Sequence, residues 1–285
     1  MLHLENESLR ADFLDPADPR DAERQGTRYC WGGYLWQVHD GQRGPLLAGP
    51  EFPRPDPTGF NGQGLPESFR HRTRDGAPLT WAGATGLGIG VGTLAAAEAN
   101  AAVLREPCPW TISRFPDHLI FQTRQEAAGL ACELERRVEL AGREIRSCNR
   151  LTNVGTRRLV LQWFAHPFWA LRENSARIAL PAGTTLPENP GFALAPDGAL
   201  TFKRPFVTED DQQFALLALP PDRPLRLTLN HPTLARVGFE TSFVPDECPV
   251  WANARTVSVE PYLNLRLDPG ETRRWHVQHT FEIQE

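Results

Sequence analysis

Lysine is almost absent from this 285-residue chain: Lys203 is the only one among 30 basic residues. Chemistry through a lysine Schiff base therefore has a single candidate. Cysteine is scarce as well. Cys30, Cys108, Cys132, Cys148 and Cys248 are odd in number, with no C-x-x-C and no close pairing of the zinc-site kind. They read as reduced thiols of a cytoplasmic protein. Excess positive charge is missing too. The formal net charge is −5 and the pI about 5.9, which argues against nucleic acid or an anionic membrane as partner. No run approaches the roughly 18 apolar residues a membrane helix needs. The opening, MLHLENESLRADFLDP, has neither the basic start nor the apolar core of a signal peptide. G-x-S-x-G and H-E-x-x-H are absent, which removes the α/β-hydrolase nucleophile and the zinc peptidase.

What is present is period-two alternation, broken at short intervals by 26 prolines and 23 glycines. That pattern predicts an all-β sandwich or barrel, and the length allows one domain over 1–285. In 132–140, Cys132, Leu134, Arg136, Val138 and Leu140 share a face. Strands are also predicted in REIRSCNRL, which follows, at 157–166, as a pair at 214–220 and 224–230, and as a second pair flanking Asp268-Pro269-Gly270-Glu271, where the residue types fit a type II turn. The proline-rich excursion 44–67 is long enough to serve in binding. Gly90-Val-Gly-Thr-Leu-Ala95 comes close to a dinucleotide fingerprint, but no acidic residue follows about 20 positions on. Gly86, Gly88, Gly90 and Gly92 instead suggest one flat strand beneath a close neighbour.

Three places could carry chemistry. His166 lies at the end of an apolar strand, on the face of Phe164 and Gln162, with Pro167 stopping the ladder and Phe168 and Trp169 following. Its ordinary alternative is a satisfied core histidine. Glu260 shares a polar strand face with Ser258, Tyr262 and Asn264, and Pro261 breaks the ladder beside it. A plain solvated face is the competing reading. The stretch FNGQGLPESFRHR gathers Gln63, Glu67, Arg70, His71 and Arg72, which could bind sugar hydroxyls or a phosphate.

These residues resemble the aldose 1-epimerase (galactose mutarotase) family. LERRVEL, REIRSCNRLTNVGTRRLVLQWFAHPFWAL and VSVEPYLNLRLDPGETRRWHV match that family's central and C-terminal stretches, with its H-P-[YF]-[FW] motif and its strand glutamate. The resemblance implies a large antiparallel β-sandwich of the galactose mutarotase-like kind. It implies interconversion of the anomers of an aldose or sugar phosphate, with no cofactor or metal. By residue match, His166 is the general acid at the ring oxygen and Glu260 the general base at the anomeric hydroxyl; a carboxylate beside the imidazole would keep it protonated. Gln63-Gly64 stands where many relatives have His-Gly, and glutamine can bind a hydroxyl but cannot relay a proton. Asp211 is the candidate sugar-contacting acid, and Glu67, Arg70, His71 and Trp169 are further candidate contacts. Two other functions fit the scaffold: a carbohydrate-binding protein without turnover, or a lyase or glycosidase using Glu67 and Glu260.

Overall fold

In a computed structural model, which describes residues 1–53, 57–97 and 101–283, every strand pairing is antiparallel. The largest sheet has ten strands. Its centre is built from His118–Ala127, Leu130–Ala141, Glu144–Asn153 and the C-terminal strand Thr272–Glu282. The predicted alternation holds: Cys132, Leu134, Arg136, Val138 and Leu140 are all buried. Across the core lies a three-stranded sheet of Glu67–Arg70, Leu159–Ala165 and Tyr262–Leu267. Trp163 from its middle strand meets Trp275 of the large sheet edge-on at 5.6 Å. The protein is thus a large antiparallel β-sandwich. Among the described residues no helix is long and apolar enough to cross a membrane.

Turn chemistry fixes the registers. Glu271 N–H bonds to Asp268 C=O, and Gly270 takes the left-handed φ of +85° that the third position of a type II turn requires. Buried Asn153 donates to the carbonyls of Arg157 and Leu267 and accepts from Gly155 N–H, which ties the N-V-G turn to the neighbouring strand.

Two expectations are corrected. The strands Gln213–Leu217 and Arg226–Leu229 exist but do not pair with each other. The first pairs with Cys248–Ala252 and the second with Arg236–Thr241, so the chain between them crosses from one sheet to another. The alternating glycines form a hairpin rather than one flat strand, with Gly88 opposite Gly92 and Gly90 at its tip. The close neighbours are real: a Cβ on Gly90 would sit 2.3 Å from the Cys30 sulfur.

Candidate active site

His166 and Glu260 meet because of strand register. Leu159 faces Leu267 and, at the other end, Phe164 faces Tyr262. One further step along the same face brings His166 opposite Glu260. The ladder stops there because Pro167 and Pro261 lack the amide it needs. Single main-chain bonds hold both residues past its end: His166 N–H to Pro66 C=O at 2.9 Å, and Glu260 N–H to Pro249 C=O at 2.8 Å. Imidazole Nε2 lies 3.4 Å from Glu260 Oε1, and Ser258 Oγ lies 3.1 Å from Nδ1.

Both side chains line the wall of an open cleft of about 760 Å³. Phe168 stacks on the imidazole at 4.3 Å, and Trp251 stands edge-on at 6.2 Å. Arg28, Arg70 and Arg74 line it, together with Glu51, Asn61, Asp210 and Gln212 from loops. Four residues of the 44–67 excursion, Pro50, Glu51, Phe60 and Asn61, line the cleft. Its residues 54–56 lie outside the described residues.

Burial dominates the electrostatics of the pair. It pushes the Glu260 carboxyl up to about 7, with Arg28, Arg74 and Arg70 pulling the other way. It holds the His166 imidazole well below its ordinary value, and the Arg28 charge adds to that. Desolvation favours the neutral form of both groups even with the carboxylate at hand, which runs against the resting imidazolium expected from the sequence resemblance. The carboxyl is thus the member of the pair that titrates near neutral pH, and below about pH 7 it carries the pair's proton.

The other sequence candidates separate. Arg70 borders the cleft, donating to Tyr262 Oη at 3.3 Å and to the carbonyls of Arg72 and Thr73. Glu67 does not reach it. Its strand neighbours Ser68 and Arg70 show the opposite parity, and its carboxylate is buried against Arg136 at 2.6 Å, with Ser147, Asn149 and Trp163 Nε1 also donating. Trp169 is likewise turned inward by alternation: Phe168 takes the cleft side, while Trp169 is fully buried against Phe239 and His279. Gln63 is buried, its side-chain amide donating to Trp36 C=O, and it does not line the cleft. The next residue, Gly64, has φ +77°, and a Cβ there would meet the Leu35 and Trp36 carbonyls at 2.4 Å. Asp211 misses the cleft by one residue. Arg204 grips it and holds its carboxyl down to about 2, while Asp210 and Gln212 face the cleft. His71 lies in an adjoining pocket, where Nδ1 accepts from Trp81 Nε1 at 3.0 Å.

Sequence reading missed Arg28 and Trp251. Arg28 sits in a loop with no period to mark it. Trp251 was discoverable, since in CPVWA it takes the outward position between buried Val250 and Ala252. Among the described residues no three His, Cys, Asp or Glu side chains come together as metal ligands.

The sequence matches no family model and no curated protein. Solved structures do match. The galactose mutarotase related enzyme from Lactobacillus acidophilus superposes with TM-score 0.62 at 11% identity, covering 100% of this chain and 99% of that one. A galactose mutarotase-like protein from Lactobacillus casei ATCC 334 gives 0.60 at 13%, covering 99% and 100%. Slr1438 from Synechocystis sp. PCC 6803 gives 0.60 at 16%, covering 99% and 96%. The chain has the galactose mutarotase-like fold.

Proposed function

We propose that the protein interconverts the α and β anomers of an aldose or sugar phosphate by proton transfer through His166 and Glu260. The observation that carries this reading is the 3.4 Å approach of imidazole to carboxyl in the wall of an open cleft. A hemiacetal presents two oxygens on one carbon, the ring oxygen O5 and the hydroxyl O1. Ring opening removes the O1 proton and adds one to O5 as the C1–O5 bond breaks. With the resting proton on Glu260, neutral His166 accepts from O1 while Glu260 donates to O5. The pair then stands as imidazolium and carboxylate. Rotation about C1–C2 turns the aldehyde, and reclosure runs both transfers backwards, restoring the starting state. This is the reverse of the role assignment implied by the sequence resemblance; both assignments place one proton on the pair. The apolar faces of Phe168 and Trp251 suit the C–H faces of a pyranose, and the bordering carboxylates suit its hydroxyls. The named neighbour from Lactobacillus acidophilus supports the enzyme class. The five free thiols suit the reducing cytoplasm.

Anomerisation of freshly dissolved sugars, followed by polarimetry or NMR, tests this. His166→Ala and Glu260→Ala should each slow the catalysed rate by about 10²–10⁴-fold, the usual worth of a general acid or base. Equal rates in wild type and both variants remove the catalytic reading, and sugar affinity without acceleration selects the binding protein instead. A glycosidase using Glu67 and Glu260 finds no support, because Glu67 is locked to Arg136 away from the cleft.

A further inference from the structure

A second pocket, of about 440 Å³, opens beside the catalytic cleft and shares Arg28, Phe60, Arg70 and Tyr262 with it. Its described lining is one-sided in charge, with Arg28, Arg70 and Arg72 present and no aspartate or glutamate. Neither Arg28 nor Arg70 forms an ion pair among the described residues. Arg28 donates to Phe60 C=O at 3.0 Å and lies over the Tyr29 and Phe60 rings. Arg70 donates to two carbonyls and a phenol oxygen and lies over the Tyr262 ring. Arg74, which lines the main cleft but not the side pocket, differs: it is paired with Glu247. Two more donors belong to the same pocket. Arg72 Nε is buried without a partner. His71, whose Nδ1 accepts from Trp81, is left with its N–H on Nε2. The carboxylates of the main cleft, Glu51, Glu209, Asp210 and Glu260, line only that cleft.

The spacing along the two strands is that of a single sugar. Stacked Phe164 and Tyr262, 4.6 Å apart, line the side pocket, Tyr262 the cleft as well, and each lies two residues from its neighbour in the pair, His166 or Glu260. Two residues of strand rise roughly 7 Å, about the reach from the anomeric centre across a pyranose to a substituent on its far side.

Resting on the function proposed above, we infer that the substrate is an aldose carrying an anionic group, a phosphate or a carboxylate, which Arg28 and Arg70 hold where the cleft joins the side pocket. Guanidinium groups bound only to neutral oxygens retain charge that such an anion balances, and Arg presents the paired donors that both groups accept.

Matched substrates test this: glucose, glucose 6-phosphate and glucuronate, and galactose with galactose 6-phosphate. Anomer exchange is followed by NMR, with the buffer rate of each compound subtracted. The expected result is a kcat/KM at least about 30-fold higher for an anionic member than for its neutral parent, the scale of one or two charge-assisted hydrogen bonds. Phosphate against carboxylate shows which anion fits. Arg28→Gln and Arg70→Gln should each cut that preference about 10-fold, mainly through KM, and Arg70→Lys should restore part of it. Equal efficiency with neutral and anionic members, or a preference untouched by both Gln variants, overturns the inference and leaves the proposed function standing. Faster turnover of a reducing disaccharide such as lactose than of any monosaccharide assigns the pocket to a second ring and also overturns it. No acceleration of any sugar overturns the proposed function itself.

Discussion

Glu260 is buried without a guanidinium bonded to it, and that has consequences at the level of one residue. Its carboxyl titrates near 7 in the folded protein against an ordinary value of 4.5. Unfolding therefore releases its proton at any pH between these values, so this group lowers stability as pH rises through that window and by a constant amount above it. Glu260→Gln should stabilise the protein at pH 8 by up to about 3 kcal/mol and have little effect at pH 4; urea denaturation at the two pH values measures both. On the proposed mechanism the same titration sets activity. Above about pH 7 the pair loses its one proton, and the catalysed rate should fall there, read as an alkaline limb in the kcat/KM profile. His166 and Glu260 were legible in the sequence because each stands in a short motif beside a ladder-breaking proline. The wall was less so. Sequence proximity made Glu67 look like a site residue, but strand parity sends it into the core. Asp211 was one position off because a loop has no period to count by.

Glu67 shows how elements are tied together. Its carboxylate joins the three-stranded sheet to the large one through Arg136 and the strand carrying Ser147 and Asn149. Alternation put Arg136 on the buried face of its strand in the sequence reading, yet nothing local says why an arginine belongs there. Its partner comes from a strand some seventy residues earlier. Glu67→Ala should cost about 3–5 kcal/mol, because it strands a buried charge. Glu67→Leu combined with Arg136→Met should recover much of that loss. Chemical denaturation of the single and double variants gives both numbers. Strand existence and face were readable throughout, since period two survives any sheet arrangement. Partnership was not: the segments at 213–217 and 226–229 look like a hairpin in sequence and join different sheets in space.

Across the whole molecule, five of the eight histidines, His71, His166, His231, His276 and His279, sit below the ordinary imidazole value, with burial the first cause each time. A depressed imidazole contributes stability that is present above about pH 6.5 and lost as pH falls, because the unfolded chain then binds protons the folded one refuses. Each fully buried ring contributes up to about 1.4 kcal/mol per pH unit; Glu260 runs the other way and offsets one of them. The protein should melt at lower temperature at pH 5 than at pH 7.5, and His279→Phe, which replaces a ring packed between Trp169 and Phe239, should make that decline shallower.

The meeting of His166 and Glu260 one rung beyond a ladder closed by two prolines has a further consequence. The imidazole and the carboxyl take their spacing from the backbone of two neighbouring strands, whereas much of the cleft wall comes from residues 50–51, 60–61 and the turn at 209–212. On the proposed function, chemistry and selectivity are therefore separate modules: those loops can be rewritten to admit a different carbohydrate while His166 and Glu260 keep their places.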